Sequence, residues 1–412
     1  MIPDPTIPEP VIPEPTVQQT AQQTAQPITQ PITQPTIRSS QASARLTFLD
    51  CVRGLAALSV LLEHGGYRLS PDFRGFTHGI FSFGKFGVAA FFLTSGFVIP
   101  LSLERGGSLQ RFWLSRLFRL YPIYWLSLAL VLTLFFLKVP YSVSPEFASH
   151  LTRNTLLNLT MLQSFVGVPN AEGLYYTLGI EMAFYLFFSL LYRIKLNHWS
   201  LPLAWLGCGS LALFGTVLPL AFHKRVPLAG LFYLLCLLVG TSIYRHYAQE
   251  ASTMMISALL LCVSLTTMAE VYCNYILVKK DDALEHYRLG AVLLPWAGAY
   301  LLFLAGYVCR KYRFPGLFTG LGAVSYSIYL LHSPLSSLIP VWPNHMYSFL
   351  AMLVLTLAVA SVTHRLVEQP CISWGKQFQR RLQNSPQEPD DAQRTRTARG
   401  TTHQTSNEQQ LA

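Results

Sequence analysis

Charge is scarce in this chain. Of 412 residues only 12% are Asp, Glu, Lys or Arg, while 51% are hydrophobic. Soluble domains carry about 25% charged residues. So few charges cannot coat a soluble protein of this length. That excludes an ordinary cytosolic enzyme, a disordered regulator and a nucleic-acid-binding module, and the mean hydropathy of +0.35 agrees. Paired-cysteine motifs are also missing. The seven cysteines form no CxxC and mostly lie in apolar stretches, where a free thiol behaves as a small buried hydrophobe. A disulfide framework or a metal site is therefore not expected. The chain also lacks a basic start followed by an apolar run, so no signal peptide is expected.

What remains is a polytopic all-α membrane bundle with polar ends. Residues 1–45 are low complexity, with IPEP at Ile7 and Ile12 and PITQ at Pro27 and Pro31. They have too little apolar surface to offset the entropy of ordering, so a disordered Pro/Gln/Thr-rich tail is expected. A membrane domain is expected over 46–375, and a disordered polar tail over 376–412. The net charge of +10 lies almost wholly beside the apolar segments of 45–370, which fits membrane topology better than nucleic acid. Ten spans are read near 47–64, 80–100, 120–137, 174–192, 200–222, 227–244, 252–272, 290–308, 318–340 and 346–366. Most approach the roughly 20 residues that a helix needs to cross the hydrocarbon core. With the N-terminus inside, short inner loops hold ten Lys and Arg in about 33 residues, against nine in about 76 outside. The expectation is a multi-pass protein of the cell inner (plasma) membrane with both termini cytoplasmic.

Ionisable groups within spans are costly, and each is a functional candidate. The first span carries Asp50, Arg53 and His64. Asp50 and Arg53, three apart, can pair on one helix face. Arg53 and His64, eleven apart, point the same way about 16 Å apart along the axis. A structural ion pair with an interfacial histidine fits these spacings as well as a functional set does. Arg116 and Arg119 sit in a basic, aromatic stretch and suit phosphate oxygens; on composition alone, anchoring to anionic head groups explains them better. Glu181 lies about 10 Å into its span from the outer end, with no positive charge nearby in sequence. His332 falls in the outer half of the ninth span, where capping or packing competes with chemistry. This arrangement suggests an anionic, phosphate-bearing donor on the cytoplasmic side and an acid/base centre toward the outer side. A glycolipid transporter or flippase would also use buried charges, although the chain shows no inverted repeat.

The order of the motifs resembles acyltransferase family 3, the integral-membrane O-acyltransferases of bacterial surface glycans. Arg53 and His64 match the family's Arg-x10-His signature. Gly87 to Phe97 is similar to its Gly-Val-x-x-Phe-Phe-x-x-Ser-Gly-Phe block. Arg116-Leu-Phe-Arg119 is similar to its Arg-x-x-Arg motif, followed by Tyr-Pro-x-Tyr-Trp. Ser325-Tyr326 through His332 and Arg365 through Pro370 resemble the closing blocks. The likeness runs over 46–375. Tyr176 stands where the family usually has Trp, which suggests a changed pocket near Glu181. Some members carry a further C-terminal esterase-like domain; with only about 37 residues after 375, none is expected here.

The resemblance implies acyl transfer, by default of acetyl, from acyl-CoA as co-substrate to a hydroxyl of a cell-surface or secreted carbohydrate. Membrane lipid is the other expected partner, and no nucleic acid, metal or permanently bound cofactor is expected. His64 would be the base or would carry the acyl group covalently. Arg53 would support the donor path or the developing charge, with Asp50 orienting it. Arg116 and Arg119 would hold CoA phosphates. Glu181 and His332 would orient the acceptor or His64, and Ser325 and Tyr326 would line the substrate site.

Overall fold

The computed structural model describes residues 46–67, 69–139, 143–223, 228–274 and 288–384. Among them there is no strand. The helices are α1 (Thr47–Gly66), α2 (Pro71–Gly79), α3 (Phe83–Gly106), α4 (Leu109–Phe136), α5 (Pro145–Ser149), α6 (Leu151–Asn158), α7 (Tyr175–Arg193), α8 (Ser200–Ala212), α9 (Leu218–Phe222), α10 (Ala229–Tyr247), α11 (Thr253–Tyr272), α12 (Gly290–Val308), α13 (Gly316–Ser337), α14 (His345–Thr363) and α15 (Gln369–Asn384). One π turn, Leu213–Val217, joins α8 to α9, and another, His364–Glu368, joins α14 to α15.

Sequence chemistry sets many of the starts. The hydroxyls of Ser70, Ser82, Ser108 and Ser252 each accept a backbone N–H three residues on, opening α2, α3, α4 and α11, as N-caps do. The end of α3 is closed by Gly107 at φ 62, whose N–H donates to Leu103 O.

Seven helices among the described residues are long and apolar enough to cross a membrane: α3, α4, the α8–α9 run, α10, α11, α12 and the α14–α15 run. Ten spans were expected. The other three expected ranges coincide with α1, α7 and α13, which do not reach that apolarity. The cause is their composition. Helix α1 carries Asp50, Arg53 and Glu63; α7 carries Glu181 and four tyrosines; α13 is rich in Gly, Ser and Tyr and holds His332. The three helices that fall short are those that bear most of the candidate site residues.

Helix α4 begins at Leu109, eleven residues before the expected span, because the basic stretch continues the helix. Arg111, Arg116 and Arg119 are therefore helical residues and not loop residues, which weakens the loop count behind the expected orientation. At the other end α15 runs through Asn384, past residue 375 where the chain turns polar. Residues 376–384 of the expected 376–412 tail are thus helical; the rest of it and the expected tail at 1–45 lie outside the described residues.

Helix α1 packs along α13 and α3, and α3 packs along α10 and α12. In lipid there is no hydrophobic drive between helices, so close backbone approach carries the association. Gly54 and Gly322 meet at the α1–α13 crossing, where a Cβ on Gly322 would strike the Asp50 carbonyl. Gly96 and Gly240 do the same at α3–α10, where a Cβ on Gly240 would strike the Leu93 carbonyl. Thr241 Oγ1 then donates to Gly96 O at 2.8 Å.

Gly240→Ala is expected to cost about 1–3 kcal/mol through overpacking. Gly209→Ala, where a Cβ meets nothing within 4 Å, should be neutral or stabilising by up to about 1 kcal/mol. Thermal unfolding in detergent compares the two, and equal shifts would remove the close-packing argument.

Candidate functional site

The last turn of α1 and the C-terminal part of α13 bring two histidines together across 268 residues of chain. His64 Nδ1 lies 2.6 Å from His332 Nε2. The other nitrogen of His332, Nδ1, faces the carbonyl oxygens of Ile328 at 3.1 Å and Tyr329 at 2.8 Å. A carbonyl only accepts, so His332 Nδ1 must carry its proton. Neutral His332 then offers a lone pair at Nε2, and His64 must donate from Nδ1. That leaves His64 Nε2 unprotonated and basic. The assignment follows from the partners, as imidazole tautomers must. His332 is fully buried and His64 only partly so; the base is thus the more accessible ring.

Pro334 shapes this stretch of α13. Having no N–H, it leaves the carbonyl of Leu330 without its helical donor. Ser127 Oγ of α4 fills the gap at 2.9 Å, and the same hydroxyl meets Tyr175 Oη at 2.9 Å. The helix carrying His332 is thereby held against α4 and α7.

The residue before His64 holds the C-terminal end of α1 in place. The Glu63 carboxylate accepts from Tyr67 Oη at 2.9 Å, from Ser82 Oγ at 2.9 Å and from Gly84 N at 2.9 Å. Ser82 is the N-cap of α3, so a buried carboxylate sits at the positive end of that helix. Glu63 thus pins the turn that carries His64 to the start of α3. It is a buried acid beside a site histidine, a signal that was present in the sequence.

A second cluster lies deeper. A cavity is lined by Arg53 of α1, Ser95 of α3, Thr177 and Glu181 of α7, and Tyr326 and Tyr329 of α13, with Val88, Phe91 and Phe92 as an apolar wall. Glu181 Oε1 accepts from Ser95 Oγ at 2.7 Å and Tyr185 Oη at 2.5 Å. The charged groups facing Arg53 are Arg119, Glu181 and Arg116. Arg116 is only 6% exposed; its guanidinium lies 5.2 Å from the Phe112 ring and 5.5 Å from the Tyr185 ring, a cation–π setting. The Nε atoms of Arg53, Arg116 and Arg119 are all buried without a hydrogen-bond partner among the described residues. Three guanidiniums thus face one carboxylate. Such a site is electrostatically incomplete without an anion.

Tyr329 joins the two clusters. It lines the cavity, bonds Thr177 Oγ1 at 2.8 Å through its hydroxyl, and lies 6.2 Å ring to ring from His332. His64 is not among the cavity's lining residues; it stands beyond Tyr329, past His332.

The expected site residues therefore fall into groups. His64 and His332 meet. Arg53, Arg116, Arg119 and Glu181 form the other cluster, so Glu181 stands with the arginines and not with the imidazoles. Tyr326 lines the cavity while its hydroxyl donates to Leu120 O at 3.0 Å. Ser325 is buried away from the cavity, its hydroxyl donating to Gly322 O at 2.8 Å. Asp50 does not line the cavity. Tyr176 is 37% exposed and faces Tyr233, with ring centroids 6.5 Å apart; its neighbour Thr177 reaches the cavity. Among the described residues no group of three or more His, Cys, Asp or Glu is arranged to hold a metal ion.

Fold and site together define a multi-pass membrane protein with a polar catalytic-type centre inside its helices. The acyltransferase family 3 model, described as an acyltransferase domain, matches residues 46–365, and the chain belongs to that family. It is a membrane acyltransferase of the kind that moves groups other than aminoacyl groups, which sets the transporter alternative aside. No curated protein and no solved structure matches the chain.

Glu63→Gln should leave buried donors facing an amide N–H₂, at about 1–3 kcal/mol. Turnover should fall with substrate KM held, because the His64 turn loosens. Steady-state kinetics and thermal unfolding check this, and unchanged turnover would leave Glu63 a packing residue only.

Proposed function

We propose that this protein transfers an acyl group, most simply acetyl, from acyl-CoA to a hydroxyl of a cell-surface or secreted carbohydrate. It does so in the inner membrane, with both termini cytoplasmic and no permanently bound cofactor. The observation that carries the reading is the His64–His332 hydrogen bond, which leaves His64 Nε2 as a free base. The acceptor hydroxyl gives its proton to that nitrogen as its oxygen attacks the thioester carbon. The carbon–sulfur bond breaks, and the proton passes from His64 to the departing thiolate. A thioester is already activated, so proton removal of this kind supplies a typical 10²–10⁴-fold.

The donor reading rests on the arginines. Planar guanidiniums match phosphate oxygens, and Glu181 is the carboxylate that faces Arg53 and Arg116 among the described residues. Arg53 stands about 16 Å from His64 along α1. That is too far to meet an oxyanion beside His64, and it suits the donor path, since the pantetheine arm of CoA spans a distance of this order. Phosphates among the arginines would place the thioester past Tyr329, toward the imidazoles. The aromatic and hydroxyl-bearing wall between them fits a channel for that arm.

His64→Ala should abolish transfer, with folding and insertion intact; the assay is mass spectrometry of surface glycans for the lost acyl mass. Substantial remaining turnover would remove His64 from the base role. Arg116→Ala combined with Arg119→Ala should weaken acyl-CoA binding by at least about tenfold, the worth of one charge-assisted contact. Calorimetric titration with acyl-CoA measures this. Unchanged affinity would place the anion elsewhere.

A further inference from the structure

The run from α14 through α15 is too long for a membrane. Its 38 residues, His345–Leu382, measure about 57 Å at 1.5 Å per residue, against about 30 Å of hydrocarbon. The α14 part has no charged residue, whereas α15 has Lys376, Arg380 and Arg381 and no acid. Helix α15 is thus the end that leaves the hydrocarbon.

Yet α15 is not polar all round. Trp374, Phe378 and Leu382 recur every four residues and are 59%, 46% and 42% exposed. A neighbouring face is taken by α4: a Cβ on Gly375 would lie 2.8 Å from Phe118 Cβ, and Gln379 Nε2 donates to Arg111 O at 3.0 Å. At 100° per residue, Lys376 and Arg380 fall on the side away from the apolar stripe. One helix therefore presents three faces: one packed on protein, one apolar and uncovered, one basic.

We propose that α15 is an interfacial helix whose Trp374–Phe378–Leu382 stripe sinks into an anionic leaflet of the membrane that the bundle spans, with Lys376 and Arg380 on its polar face attracted by the anionic surface. Position, apolar stripe and basic polar face are those of helices that lie in the interface, and Trp is at home at head-group depth. A second copy of the chain fits poorly, because two acid-free basic helices would repel. Through Gly375 and Phe118, this contact braces the turns of α4 that carry Arg116 and Arg119.

The test uses the full chain in nanodiscs of phosphatidylcholine alone and of phosphatidylcholine mixed with phosphatidylglycerol. Lipids brominated high on the acyl chain report the depth of Trp374, read as the difference between wild type and Trp374→Phe. Amide exchange over 369–382 reports ordering. Trp374 should be quenched in the mixed lipid, and exchange over 369–382 should slow several-fold relative to phosphatidylcholine alone. Lys376→Glu with Arg380→Glu should remove most of that difference. Absent quenching together with identical exchange in both lipids would overturn the proposal, as would protection that appears only at high protein concentration, which would assign the stripe to a second copy. None of these readouts uses acyl transfer, so the outcome is independent of the proposed reaction.

Discussion

Two imidazoles meeting inside a helix bundle constrain each other's protons, and the carbonyls behind them decide the direction. His332 Nδ1 faces only acceptors, Ile328 O and Tyr329 O, so its tautomer has no freedom. That fixes its Nε2 as an acceptor, which in turn fixes His64 Nδ1 as a donor. The helix backbone here does what a buried carboxylate does in other dyads: it orients the base, without adding a full charge to a low-dielectric interior. Almost everything else near the C-terminal end of α1 serves to keep these rings at hydrogen-bond distance. Glu63 ties the His64 turn to the N-terminus of α3, and Ser127 completes the carbonyl that Pro334 leaves open on α13.

The same helices carry the expense of being polar. Helices α1, α7 and α13 are less apolar than their neighbours because they hold the site, and they are held in place by backbone proximity. The glycine contact between Gly54 and Gly322 brings α1 and α13 close enough for their side chains to meet at both levels: Arg53 with Tyr326 around the cavity, and His64 with His332 one to three turns further on. A bulkier residue at the crossing would separate both pairs at once.

Much of this was legible in the sequence. The all-α membrane architecture could be read from hydropathy, with seven of the ten expected spans apolar enough to cross a membrane, and the candidates His64, His332, Arg53, Arg116, Arg119 and Glu181 stood out as charges where charges are costly and by motif order. Partnership could not. Nothing in the chain says that His64 finds His332 or that Glu181 joins the arginines, because those contacts depend on how helices rotate against one another. Ser325 shows the opposite limit: a hydroxyl within a motif that bonds its own helix at Gly322. The start of α4 was missed because a basic stretch reads as a loop until Arg116 is seen folded inward onto Phe112 and Tyr185. Glu63 was passed over although its burial beside a histidine is unusual, since its three donors come from Tyr67, Ser82 and Gly84, two of them beyond the next short helix.

The central claim is that His64 holds its proton on Nδ1 and keeps Nε2 bare. Solid-state nitrogen NMR of histidine-labelled protein in bilayers, with His64→Ala used to assign the signals, measures this directly. His64 should show a protonated Nδ1 and an unprotonated Nε2, with a through-space correlation from its Nδ1 proton to His332 Nε2. A His64 ring protonated on Nε2, or one without any correlation to His332, would contradict it.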